Sequence, residues 1–293
     1  MEQVFTPELL NKTKSAKSLR EYSYIHIGND SPYLLAPSSV TELQQILQQA
    51  HQAGKQTLAI GGCSNILFGN TEDMIIVADE KFPHILEVQD DLLTCSCNIS
   101  IMDTIFFAQQ YNLCGLEFLA GIPAHLGGTI HMNAGAFGSS ISDFLQWIEI
   151  VDEAGKCHRI DAEKIDFSYR KISLNGFITK SCFRLLKDDA ETIDEKIAAV
   201  IRTRQQRHPY EFPSLGSTFK NPPEQFAGLL IRDCGLAGKR IGGAQISRKH
   251  CNFILNVDQA SFCDYLDLIN LAQKQVKEKF HIELELENKV INK

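Results

Sequence analysis

Residues 115–138, GLEFLAGIPAHLGGTIHMNAGAFG, constrain what this chain can fold into more than any other stretch. They hold six of its 19 glycines, one carboxylate (Glu117), and no lysine or arginine. A surface loop of that length is ordinarily polar. This one is apolar, so its backbone is expected to pack against something other than side chain. Glycine permits positive φ and close backbone approach, and successive freed N–H groups form concave, anion-binding nests. Two readings follow: a plain buried loop, or the wall of a site for a phosphate-bearing cofactor. The composition favours the second.

A second glycine turn lies upstream. Residues 57–60 read as a strand that runs into GGCSN at 61–65, where backbone N–H groups and the Ser64 hydroxyl can cradle a phosphate. Taken alone, an ordinary tight turn is the simpler account. Neither GxxxxGK[ST] nor a GxGxxG opening a helix is present.

A length of 293 residues points to two domains. Apolar residues make up 44% and charged residues 22%, enough for a large core. The balance of 29 basic against 36 acidic residues gives a net charge of −7. That argues against nucleic acid or an acidic membrane as partner, because such phosphates are bound chiefly by excess Lys and Arg. No apolar run approaches the roughly 18 residues that span a bilayer, and the polar N-terminus lacks the apolar core of a signal peptide. Nine cysteines without a CxxC fit reduced thiols better than a disulfide framework. A cytoplasmic protein without membrane insertion is expected. The nine histidines show no HxxxH spacing, so no metal is expected either.

Along the chain, SVTE at 39–42 is a capping box that opens a helix through Gln52, with Gly54 ending it. Strands are predicted at 74–78, 85–88 and 92–99, then a helix over 101–112. Two strands, 144–152 and 156–160, flank EAG at 153–155, a hairpin signal, and a strand at 177–186 follows. Composition shifts near Lys187, where a charged helix (188–208) leads to Pro209 and Pro213. The domain boundary is placed there, giving 1–187 and 188–293. Beyond it lie helices at 224–233 and 260–279, a strand at 252–257 and a final strand at 282–287.

Three places carry candidate chemistry. PSLGSTFKNP at 213–222 sets hydroxyls beside Lys220 in a proline-fixed loop, suited to proton donation, to a charged ligand, or simply to a polar turn. It holds no GxSxG elbow. FSYR at 167–170 offers Arg170, which can clamp a carboxylate bidentately or merely lie in solvent. Glu283, Glu285 and Glu287 alternate along one face near the C-terminus, a pattern that is ordinarily a solvated face.

Taken together these motifs resemble the UDP-N-acetylenolpyruvoylglucosamine reductase family, the FAD-dependent MurB enzymes of peptidoglycan precursor synthesis. The resemblance runs from about Leu19 to Val290. It rests on GGCSN, GLEFLAGIP, GGTIHMNAGAFG, FSYR, PSLGSTFKNP, AGLLI, IGGAQIS, KHCNFILN and LELE at 284–287. It implies an α+β chain: a vanillyl-alcohol-oxidase-type FAD-binding fold of two lobes, followed by a C-terminal α+β substrate-binding domain. Gly61, Gly62, Cys63, Ser64, Asn65, Gly121, Ile122, Gly127, Gly128, Thr129, Asn133 and Gly135 would hold FAD. The first loop offers no histidine for attachment, so the FAD would be non-covalent. The short connection after Arg170 resembles the subtype without an inserted tyrosine flap.

The implied reaction takes a hydride from NADPH by way of the flavin to C3 of the enolpyruvyl ether of UDP-N-acetylglucosamine. Arg170 would pair with the substrate carboxylate, Glu287 would polarise the enolate-like intermediate, and Ser217 would protonate C2. Tyr169, Lys220, Asn221 and His250 match positions that surround the substrate. A monomer is expected. Departures from the family pattern are Cys63 and Ala124 for glycines, His26 and Asn29 for Arg and Gly, and Leu286 and Asn288 for Pro and Val. They bear on flavin affinity and on the placement of Glu287. A flavin oxidase acting on another substrate, and a non-enzymatic flavoprotein, are the competing accounts.

Overall fold

Ser39 opens the helix Val40–Gln52 by accepting a hydrogen bond from the Glu42 N–H at 3.2 Å. Glu42 accepts in turn from the Ser38 N–H at 2.7 Å, so the capping box is displaced by one residue. The helix buries Leu43, Ile46, Leu47 and Ala50, spaced on one face. It links the parallel strands Leu34–Leu35 and Gln56–Ile60, which flank Met74–Ala78 in a three-stranded sheet. The computed structural model to which these elements belong describes residues 4–14 and 18–292.

The chain divides into two compact units. The first comprises Met1–Ala16, Pro32–Gly62 and Glu72–Thr203, and the second Lys17–Ser31, Cys63–Thr71 and Arg204–Lys293. Besides the parallel sheet, the first unit holds a five-stranded antiparallel one. Its order is Cys157–Asp161, Leu145–Val151, Phe177–Arg184, Leu92–Ser96, Leu86–Gln89. The hairpin foreseen around 153–155 joins the first two. It turns at Gly155 (φ +79°), where a Cβ would also sit 2.8 Å from the Gln44 carbonyl. Ile148 and Phe183 are fully buried in this unit's core, each contributing about 1.5–3 kcal/mol through burial.

The second unit is built on a four-stranded antiparallel sheet, ordered Ser214–Ser217, Phe253–Asn256, Ala244–Ile246, Arg240–Ile241. The helix Phe262–Phe280, opened by a capping box of Ser261 and Asp264, packs Tyr265, Leu268, Ile269, Ala272 and Val276 into its core. The C-terminal strand Lys289–Ile291 runs parallel to Ile66–Phe68. No helix among the described residues is long and apolar enough to cross a membrane.

By compactness the chain divides after Thr203, with Ile193 and Ile197 of the helix Ala190–Arg207 packed into the first core. One expectation differs from what forms. Residues 282–287 form no strand. Leu286 makes a single antiparallel bridge with Phe219, flanked by bonds from Lys220 N–H to Glu285 O and from Glu287 N–H to Thr218 O. Past Asn221 the partner segment could not have donated in any case, since Pro222 and Pro223 have no N–H.

Candidate active site

In the first unit, the two glycine segments meet. Gly61 ends the strand Gln56–Ile60, and Asp79 ends the neighbouring strand, since Ile60 pairs with Ala78. A Cβ on Gly61 would lie 2.8 Å from Asp79 Oδ2 and 3.2 Å from His125 Nδ1. One on Gly62 would rest 3.4 Å from the Pro123 carbonyl, Ala124 Cα and the His125 nitrogen. At Gly61 a side chain would clash, whereas the Gly62 distances are ordinary contacts. Gly121 turns with φ +82° and donates its N–H to Met102 Sδ at 3.2 Å, while the N–H of Ile122 goes to Leu119 O. Gly127 lies against Cys97, donating to its carbonyl at 2.9 Å. Gly128 faces open space, with nothing within 4 Å of a would-be Cβ. Thr129 is buried, and its hydroxyl donates to the His125 carbonyl at 2.8 Å, a bond internal to the helix Leu126–His131.

Arg170 is tied to the same stretch. Tyr169 and Arg170 form the tip of a hairpin between Phe167–Ser168 and Lys171–Ile172, with Arg170 left-handed at φ +59°. The Asn133 amide donates to the Ser168 carbonyl at 3.1 Å, and Arg170 Nη1 donates to the Gly135 carbonyl at 2.9 Å. Tyr169 is exposed, with the guanidinium 5.1 Å from its ring centroid. Asn133, Gly135, Tyr169 and Arg170 are thereby brought together.

The second unit carries Cys63, Ser64 and Asn65. Cys63 is buried in a left-handed conformation, φ +46°, at a cost of roughly 1–2 kcal/mol relative to glycine. Ser64 is half-buried. Asn65 turns toward the C-terminal segment: its amide donates to Glu287 O at 3.0 Å and accepts from Asn288 Nδ2 at 2.8 Å. Asn65 therefore positions Glu287.

Ser217 ends an edge strand that carries a bulge. Ser214 pairs with Leu255 and Ser217 with Phe253, so three steps on one strand match two on the other, with Gly216 at φ +71°. Such a bulge re-aims the side chain that follows it. Asn288, only 3% exposed, joins these pieces. Its amide donates to Leu215 O and Ser217 O, both at 3.1 Å, and its oxygen accepts from Tyr265 OH at 2.9 Å. Glu287 and Ser217 are thus held in one polar network. In the sequence, Asn288 stands out only as a departure from the family pattern.

The remaining candidates are less open. Lys220, largely shielded, forms an ion pair with Glu285. Asn221 Oδ1 accepts from the Ala227 N–H at 3.1 Å, capping the helix Ala227–Asp233. His250 packs edge-on to Phe253, ring centroids 4.8 Å apart, and lies 5.8 Å from His208. Burial holds the His250 pKa down, and its Nδ1 accepts from the Asn252 N–H at 3.3 Å, which puts the ring proton on Nε2. Burial, with Arg204 and His250 adding, pushes the His208 pKa down to about 4. The pair is neutral at pH 7.

Residues 31–161 match the family model described as the FAD binding domain, and residues 208–291 match that of the UDP-N-acetylenolpyruvoylglucosamine reductase C-terminal domain. A flavoprotein oxidoreductase with a dedicated C-terminal domain is the class so defined. The chain is 34% identical over 281 residues to the UDP-N-acetylenolpyruvoylglucosamine reductase of Listeria monocytogenes, covering 95% of this chain and 94% of that one. It is 34% identical over 285 residues to that of Staphylococcus aureus, covering 96% and 92%. The solved structure of the Thermus caldophilus reductase superposes with a TM-score of 0.79 at 31% identity, over 94% of this chain and 98% of that one. The chain belongs to the UDP-N-acetylenolpyruvoylglucosamine reductase family.

The residues in place fit FAD. Asn133 Oδ1 is buried with no hydrogen-bond partner among the described residues, and an orphaned buried acceptor suits an N–H of a bound group. Gly128, five residues before it, leaves open space where a Cβ would sit, and Gly61 leaves no room for one.

Proposed function

We propose that Arg170, Ser217 and Glu287 act on the substrate of this FAD-dependent, NADPH-driven reductase, which converts the enolpyruvyl ether of UDP-N-acetylglucosamine into UDP-N-acetylmuramate for peptidoglycan precursor synthesis. The observation that carries the residue roles is the network of Asn65, Leu215, Ser217 and Tyr265 around Asn288, which fixes Ser217 and Glu287 on one framework. Bound FAD supplies hydride transfer from NADPH to the enolpyruvyl C3. Negative charge then builds at C2 and spreads into the carboxylate. Arg170 pairs with that carboxylate as the charge develops. The Ser217 hydroxyl donates a proton to C2, which it can do because a carbanion is far more basic than an alkoxide. Glu287 polarises the intermediate. Lys220 reaches a charged group of the substrate once it exchanges its exposed partner Glu285. Gly61, Gly62, Cys63, Ser64, Asn65, Gly121, Ile122, Gly127, Gly128, Thr129, Asn133 and Gly135 line the FAD, with Tyr169, Asn221 and His250 around the substrate. The protein works as a cytoplasmic monomer.

Stopped-flow absorbance tests the assignment. NADPH is expected to bleach the flavin, and the enolpyruvyl nucleotide to restore it. Restoration by oxygen alone, with no response to that substrate, would overturn it. Arg170→Lys keeps the charge but loses the planar fork. KM for the enolpyruvyl substrate should rise roughly tenfold, the equivalent of one charge-assisted hydrogen bond, with flavin reduction by NADPH unchanged.

A further inference from the structure

Where the glycine segments cross, the neighbouring side chains form a buried pair that the reaction does not use. His125 Nδ1 lies 2.9 Å from Asp79 Oδ2 and 3.1 Å from Oδ1. Asp79 is 5% exposed, while the His125 side chain keeps 30% of its surface open. Gly61 rests on both, and Gly62 on the backbone of residues 123–125. Residues 115–138 contain no lysine or arginine, yet FAD brings two negative phosphates. We propose that His125 is a direct ligand of the FAD pyrophosphate, held for that role by Asp79 as a positioning residue. The proposal rests on the reading that the glycine segments hold FAD.

The chemistry follows from the tautomer. With Nδ1–H donated to Asp79, a neutral imidazole presents Nε2 as an acceptor, which a phosphate oxygen repels. A protonated ring presents Nε2–H as a charged donor, the stronger kind of hydrogen bond. Asp103 on the helix Ile101–Gln109 adds its charge toward His125, and the buried Cys97 thiol, which Asp79 helps push up, stays neutral. Burial, with Glu80 adding, raises the Asp79 pKa, while the His125 hydrogen bond and charge pull it back down. Burial opposes the imidazolium, but the Asp79 hydrogen bond and charge outweigh it and leave the His125 pKa raised. A raised histidine gives its full contribution at low pH and loses it as pH climbs through its pKa. FAD affinity should therefore be greatest in mild acid. Above the His125 pKa of the free protein it should fall about tenfold per pH unit.

The test reads flavin binding, not turnover. Free FAD, measured by its fluorescence, is followed as the holoenzyme is equilibrated between pH 6 and 9, and the apoprotein is titrated with FAD alone. With neither NADPH nor substrate present, the readout is FAD binding alone, and the His125 variants assign its pH dependence to that ring. The native protein should release FAD as pH rises. His125→Gln, which keeps a hydrogen bond to Asp79 but no charge, should bind about ten- to a hundredfold more weakly at pH 6, with a flat profile. His125→Lys should bind tightly at pH 6 and stay tight at pH 9. Asp79→Asn should move the release to lower pH. A flat native profile, or a His125→Gln variant that binds like the native protein at pH 6, would overturn the proposal. Gly128→Leu, whose Cβ would meet nothing within 4 Å, separates the two levels. If it blocks FAD while His125→Gln does not, the glycine site stands and the histidine role falls. If neither affects binding, both fall.

Discussion

Ser217→Ala is expected to leave reduction of the bound flavin by NADPH unchanged. Reoxidation by the enolpyruvyl substrate should slow about a hundred- to ten-thousand-fold, the usual worth of a positioned proton donor. The separation is possible because the network uses the Ser217 carbonyl, which accepts from Asn288 at 3.1 Å, and not its hydroxyl. Truncating the side chain therefore removes the donor and spares the framework. The Gly216 bulge fixes where that hydroxyl points, so moving the donor should cost nearly as much as deleting it. Ser217→Cys, which keeps a proton on a longer bond, should recover part of the rate. Rapid mixing with each substrate in turn resolves the half-reactions. An equal loss in both, or full activity in the alanine variant, would remove Ser217 from proton transfer.

Much of this arrangement was legible in the chain. Local signals held where the physics is local: the helix after Ser39, the hairpin at Gly155 and the capped helix Phe262–Phe280 depend on neighbours a few residues away. What escaped depends on partners far along the chain. Nothing near Lys17–Ser31 or Cys63–Thr71 indicates that these segments pack with residues 204–293. The alternation of 282–287 is genuine, since Leu284 is buried between exposed Glu283 and Glu285. Periodicity reports which face is buried, but it cannot report whether a ladder partner exists. Asp79 and His125 likewise meet only through distant pairings: the strand before Asp79 is set by its register with Gln56–Ile60, and His125 by its bridge to Ser100 and the bond from Gly127 N–H to Cys97 O. Of the candidate residues, Asn65 was legible in place, but its side-chain bonds to Glu287 and Asn288 were not, because those partners lie more than 220 residues away.

Asn288→Val should lower the stability of the protein by about 3 kcal/mol or more. Valine is close in size, so the loss is one of hydrogen bonds and not of packing. At 3% exposure no water can replace the amide. The substitution removes the two amide hydrogens shared by Asn65 Oδ1 and the carbonyls of Leu215 and Ser217, together with the acceptor of the Tyr265 hydroxyl. Each unsatisfied buried group costs about 1–3 kcal/mol, reduced where a neighbour takes up the slack. The midpoint of thermal unfolding should fall about 6 °C or more. Tyr265→Phe removes one bond of the set and should cost about 1 kcal/mol. Combined with Asn288→Val it should add almost nothing, because the two changes break the same contact. Kinetics should follow the same geometry. Glu287 is held through its own backbone, by Asn65 on its carbonyl and Thr218 on its N–H. Freeing Asn65 should therefore slow the substrate half-reaction roughly tenfold, a loss of about one hydrogen bond's worth of positioning, and leave flavin reduction intact. A valine variant with native stability would mean that the network is decoration. One that is destabilised yet reduces substrate at the native rate would mean that Glu287 is placed by something other than Asn65.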